Sequence, residues 1–241
     1  MDATEWARRQ AREVARKRFE ATVAKPAAEV RLDVASFCIA AHAHPGIDVD
    51  AWCARLDELA SGCATPTFEG VRAYLFEEAA FTGNGRDYTD PENSFLDSVL
   101  TRRTGIPITL SVLMMEVGRR LSVDVRGVGM PGHFLVQDGG SAEGRWCDPF
   151  HGGAQCDVDD CRVLFARVHG SERGFHPAFL APTSSHEILG RMLTNLETGR
   201  MAKDPLHLAW MCELHLALPG LGDADRVRLD AAVRSVHARW N

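Results

Sequence analysis

Between Ile106 and Leu121 the apolar positions Ile106, Leu110, Leu113, Met114, Val117 and Leu121 recur at the spacing of one helix face. Ile108, Val112 and Met115 widen that stripe around most of the circumference, which predicts a helix buried on several sides. Thr104 and Gly105 are its expected capping residues, and Pro107 is compatible because it falls in the first turn. Beyond Ser122 the period changes. Three short β-branched runs, 123–129, 133–137 and 145–149, are separated by Pro131-Gly132 and Gly139-Gly140, the pattern of strands joined by turns.

The flanks read as helix. Residues 3–24 predict a basic surface helix with Trp6, Val14 and Phe19 as its apolar anchors, and residues 27–44 a second, with Val30, Val34, Phe37, Cys38 and Ala41 on one face. Asp48 or Asp50 caps a third, ending near Ser61. Residues 67–81 place Val71, Leu75, Phe76 and Ala79 on a core face. The loop FTGNGRDYTDPEN that follows is either functional or a turn held by Asx hydrogen bonds. Further on come a short helix over 158–168 and a helix capped by Ser184 or Ser185. A partner opens at Pro205, and a last helix is capped by Asp223 and ends at Trp240. The expected fold class is α+β: a helical N-terminal lobe (1–66), a core with a small antiparallel sheet (67–168) and a helical tail (169–241).

Connectivity then gathers chemistry at one edge. In an antiparallel meander the start of the second strand lies beside the end of the third, which sets His133 next to Asp148. The short link from the helix to the first strand makes those two antiparallel as well. The positive end of the Ile106 helix, an imidazole and a carboxylate therefore converge. Arg102 and Arg103, which lead into that helix, are expected to offer a guanidinium to a carboxylate nearby.

The order of helix, strand, strand with His, and strand ending in Asp-Pro resembles the core of the transglutaminase-like superfamily, where a Cys at the helix start, a His and an Asp form a papain-like triad. The wording GIPITLSVLMMEVGRRL, GVGMPGHFLV and DPFHGG resembles more narrowly the SirB-type invasion-regulator family of bacteria. That resemblance runs from about residue 33 to residue 220. It includes Asn84, Asn93 and the Glu77–Glu78 pair as recurrent motif positions, and a helix pair near the C-terminus similar to a tetratricopeptide unit. One pair is too few for a repeat array.

One position departs from the pattern. The resemblance implies a nucleophilic Cys two residues after the Gly at the helix start, and in Gly105-Ile106-Pro107 that position holds proline. Proline offers no thiol, hydroxyl or backbone N–H. Thr109 lies about 200° around the helix, and Ser111 shares the face but sits about 6 Å deeper. His133 and Asp148 thus form a vestigial dyad, with Asn84, Asn93, Arg102, Arg103, Thr109, Ser111 and His151 as candidate binding residues around it.

Composition narrows the rest. The net charge of −6 argues against a nucleic-acid partner, no apolar run reaches membrane-spanning length, and no hydrophobic signal core precedes the first helix. Seven cysteines without a dense pattern fit a reducing cytoplasm. The series Cys147, His151, Cys156, Cys161 invites a zinc reading, but tight ligand pairs are missing and Cys147 should face away from Asp148, so no metal or other cofactor is expected. Two function classes remain: a non-catalytic regulatory module binding a peptide or protein partner, favoured because the attacking group is missing, and an acyl-transfer or amide-hydrolysing enzyme in which the His-Asp dyad serves an unusual nucleophile or water.

Overall fold

The computed structural model describes residues 3–141 and 144–238. Helices α1 (Ala3–Val23), α2 (Leu32–Ala43) and α3 (Val49–Ser61) come first, followed by α4 (Phe68–Ala73). The helix predicted over 67–81 changes its hydrogen bonding after α4: Tyr74–Glu78 form a π turn, closed by the Ala79 N–H donating to the Tyr74 carbonyl at 2.7 Å. Next come β1 (Thr82–Gly83), α5 (Leu96–Arg102), β2 (Thr104–Gly105) and α6 (Pro107–Arg120), the predicted central helix. Strands β3 (Val125–Val128), β4 (Leu135–Asp138), β5 (Trp146–Asp148) and β6 (Ala154–Cys156) follow, then α7 (Val158–His169), α8 (Ser185–Thr198), α9 (Pro205–Leu216) and α10 (Asp223–His237). The architecture is α+β. The expected end of the last helix, Trp240, lies outside the described residues.

The meander carries a fourth strand, β6, that its short polar sequence did not announce; the order is β3-β4-β5-β6, antiparallel throughout. Side chains alternate across this sheet as the two-residue period demands. Val136 and its partner Cys147 enter the main core around α6, whereas Leu135 and Trp146 enter a smaller core with Cys161 and Phe165 of α7. The main core draws on all three sequence regions, from Phe19 on α1 through Leu113 on α6 to Met192 on α8 and Leu214 on α9. Burying side chains of this size contributes about 1.5–3 kcal/mol each.

Several local expectations are corrected. On α1, Phe19 is buried, but Trp6 and Val14 are 55% and 65% exposed; the helix docks on α2 through Ala15, Phe19 and Val23 instead. Thr104 and Gly105 do not cap α6: they pair in parallel with Thr82 and Gly83, and Ile106 occupies the N-cap. Gly222, and not Asp223, is the N-cap of α10. Asp48 caps α3, and Ser184 closes a reciprocal capping box with Glu187 on α8.

The C-terminal end of α6 anchors a buried charge cluster. Asp33 on α2, fully buried, accepts from Arg31 and Arg120 at 2.7 Å each, and Glu116 accepts from Arg119 and Arg120 at 2.8 Å each. Arg120 also reaches Asp57 at 2.6 Å. Burial opposes ionisation of Asp33, yet the bonds from Arg31 and Arg120 overcome it and hold the carboxyl well below the usual range. Glu116 goes the other way, pushed up by burial and by the Asp33 charge.

Candidate functional site

The opposite end of α6 faces a cleft. Pro107 is the first helical residue, where its fixed φ suits the turn and its missing N–H costs nothing. No side chain caps this terminus. Across from it the chain turns at Met130–His133, where the His133 N–H donates to the Met130 carbonyl at 3.0 Å. Gly132 enables that turn with φ +75°, and a Cβ there would come within 2.4 Å of Val168 Cγ1.

His133, only 9% exposed, aims Nε2 at Asp148 Oδ2 at 2.9 Å. Asp148 at the end of β5 is almost wholly buried and spends both oxygens. Oδ2 also takes His151 Nδ1 at 2.7 Å, while Oδ1 accepts the backbone N–H groups of Phe150 and His151 at 3.0 and 3.3 Å. Burial would push this carboxyl up, but the bonds from His133 and then His151 outweigh it and hold it below the usual range. Asp148 therefore fixes the orientation of two imidazoles and has no capacity left for a ligand.

The other candidate residues have structural duties. Asn93, fully buried, accepts from Asn84 Nδ2 at 3.0 Å and donates to the Asp87 carbonyl at 2.8 Å, while Asn84 Oδ1 receives the Asp87 N–H at 3.0 Å. The loop after β1 is thus held by Asx bonds, as one of its two readings expected. Arg102 pairs with Asp90 at 2.7 Å, and Arg103 donates to the Ala79 carbonyl with its guanidinium 5.8 Å from the Phe81 ring centre. Arg102 thus meets a carboxylate, as expected, but that of Asp90 on the loop, while Arg103 is taken by the Ala79 carbonyl at the end of the π turn. Thr109 and Ser111 are fully buried, and their hydroxyls donate to the carbonyls of Asn93 and Pro107 at 2.8 Å each. Both hydroxyl protons are thus spent on backbone carbonyls inside the protein.

The cleft, of about 260 Å³, is lined by Pro107, Ile108, His133 and Phe134 together with three residues the sequence pattern left unmarked: Tyr88, Arg191 and Asn195. Arg191 on α8 donates Nη2 to the carbonyls of His133 and Met130 at 3.0 and 3.3 Å, and its guanidinium stands 5.1 Å from the Phe134 ring centre. Among the described residues it forms no ion pair. Burial lowers its hold on its proton. A signal for it existed: Arg191 falls three residues after Ile188, a cation on the edge of an otherwise apolar stripe.

His133, Asp148 and His151 present one ligand atom each within 4.8 Å of one another, close enough for a cation. A metal there would have to displace both imidazole bonds to Asp148. The cysteine series does not converge with them, since Cys147 and Cys161 are buried in different cores.

A helix start, a histidine and an aspartate set in this order on a small antiparallel sheet define the transglutaminase-like class, and the chain belongs to that superfamily, whose family model matches residues 45–194. Among curated relatives it is similar to a UPF0162 protein of Xylella fastidiosa, 42% identical over 53% of this chain and 47% of the relative. It is similar to a UPF0162 protein of Pseudomonas aeruginosa, 31% identical over 71% of this chain and 62% of the relative. The human F-box only protein 21 is 33% identical over 53% of this chain and 21% of its own length. The chain spans about half the length of the first of these relatives. No solved structure matches it. Among the described residues no helix is long and apolar enough to cross a membrane.

Proposed function

We propose that this protein is a non-catalytic, SirB-type regulatory module whose cleft holds a peptide or a segment of a partner protein. The observation that carries the reading is Pro107: the position that faces His133 at the helix start bears no nucleophile, and open space remains where substrate would react. Thiols elsewhere do not replace it. Burial pushes Cys38, Cys53, Cys156 and Cys161 up to about 12, Cys212 to about 11, and Cys147 well above its ordinary value.

Brief alkylation with iodoacetamide at mildly acidic pH, followed by peptide mapping, tests this directly. Slow and uniform labelling of the seven cysteines is expected. One cysteine labelled well ahead of the rest, and protected in His133→Ala, would sink the non-catalytic reading. Pro107→Cys gives the converse: with the dyad aligned, the new thiol should label first.

The enzyme reading keeps one observation in its favour, since Asp148 binds Nε2 of His133 and leaves Nδ1 to the cleft as a base for water. Hydrolysis of an amide or ester substrate that disappears in His133→Gln would establish it.

A further inference from the structure

We infer that the cleft beside His133 recognises a peptide carboxylate, held by Arg191 and the α6 terminus, with an apolar side chain of the same peptide in an adjoining cavity. The inference rests on the peptide-binding reading above and adds its ligand chemistry.

Arg191 is the first support. A half-buried guanidinium with no acidic partner among the described residues is costly to keep, and the chain as a whole carries a net charge of −6. Its two carbonyl bonds both use Nη2, so they aim the group without spending the remaining donors of its five N–H groups. Among the described residues no carboxylate lines the cleft to compete. Its Nε–H and Nη1 hydrogens, for which no bond is formed among the described residues, can each give a carboxylate a single charge-assisted hydrogen bond.

The α6 terminus is a second and separate feature. It has no side-chain cap, it opens on the same cleft through Pro107 and Ile108, and its dipole favours an anion there. His133 stands beside both with Nδ1 not engaged by Asp148.

The third feature distinguishes a peptide from a free anion. A cavity of about 180 Å³ adjoins the cleft, sharing Tyr88 and Asn195 as common walls; Pro91, Ile106, Leu196 and Met201 line it together with Ser94, Thr198 and Asp90, whose carboxylate is paired with Arg102. A carboxylate seated on Arg191 therefore has apolar space within reach of the next side chain. Tyr88, half exposed and edge-on to Phe150 at 5.7 Å between ring centres, stands between the two spaces as a contact surface for backbone.

Two pools of N-acetylated random tetrapeptides, one with free carboxyl termini and one amidated, are passed over the immobilised full chain, and retained peptides are measured by mass spectrometry. The free-acid pool should be retained at least about tenfold over the amides, with apolar residues enriched in the last two positions. That preference should vanish in Arg191→Gln, and acetate should displace the peptides. Retention of Asp- or Glu-containing amides alongside the free acids supports the carboxylate and assigns a side chain as its source. Equal retention of both pools by wild type overturns the carboxylate inference and leaves peptide binding standing. Retention of neither pool removes both. Displacement by inorganic phosphate at a far lower concentration than acetate also overturns it, in favour of a phosphate site. The acid–amide comparison on wild type carries the test even if Arg191→Gln fails to fold.

Discussion

At one end of α6, Asp33 and Glu116 meet Arg31, Arg119 and Arg120 inside a cluster where each buried carboxylate has a guanidinium against it. At the other end, Arg191 faces the cleft with carbonyls but no acid, and His133 is tied to Asp148 through one nitrogen only. Both clusters are largely buried and both contain arginine. What separates them is completeness: in the first each carboxylate meets a guanidinium, while in the second a guanidinium has no carboxylate among the described residues, the feature on which the proposed carboxylate site rests.

The largest effect should come from opening the closed cluster. Asp33→Ala removes the shared acceptor of Arg31 and Arg120 and is expected to cost roughly 3–5 kcal/mol, read as a shift of the urea midpoint at constant slope. A cost below about 1 kcal/mol would erase the contrast, because exposed pairs lose no more than that.

A buried group that is kept neutral sharpens the same point through pH. His42 on α2, tilted against Trp210 with ring centres 5.3 Å apart and lowered from 6.5 to about 4 by burial, stays uncharged in the folded protein while the unfolded chain takes up a proton. Its contribution is complete above 6.5 and is lost as pH falls from there towards 4. The expected loss is on the order of 2–3 kcal/mol across that window, and His42→Gln should flatten the slope. The Asp148 contribution, from a carboxyl held below the usual range, persists to lower pH and fades only as pH falls through that depressed value. Equal pH profiles for wild type and His42→Gln would remove the burial argument.

Gly132→Ala tests the turn that presents His133. With φ at +75° and Val168 in the path of a Cβ, about 1–2 kcal/mol should be lost, with the His133 ring resonances displaced in NMR spectra. An unchanged melting temperature and unmoved ring would show that the turn does not set the imidazole.

The smallest effect on stability is expected at the open cluster. Arg191→Met should change stability by less than about 1 kcal/mol, since relief of a partly buried charge without an ion pair among the described residues offsets the two carbonyl bonds and the Phe134 contact that are lost. A loss as large as that of Asp33→Ala would make Arg191 a strut joining α8 to the His133 turn, and the comparison between the two ends would fail.

Much of the frame was legible because it follows from periodicity. The α6 stripe, the alternation on β4 and β5, and the His133–Asp148 pairing all come from repeats of three-and-four or two and from antiparallel connectivity. What stayed hidden depends on three-dimensional neighbours. The π turn over Tyr74–Glu78 has no spacing of its own, and β6 is too short and polar to show alternation. Arg102 and Arg103 look like site residues by proximity in sequence, yet Asp90 and the Ala79 carbonyl capture them. Arg191 is the reverse case, remote in sequence and brought to the cleft by the packing of α8.

That remoteness has an evolutionary consequence. The backbone of α8 is fastened by Ile188, Leu189, Met192, Leu193 and Leu196, all buried, so its course does not depend on the side chain at 191. His133 and Asp148 sit on other elements and bond to each other without it. A single codon can therefore exchange the charge of the cleft while the inherited pair stays in place, so the proposed preference for a carboxylate is separable from the fold that carries it.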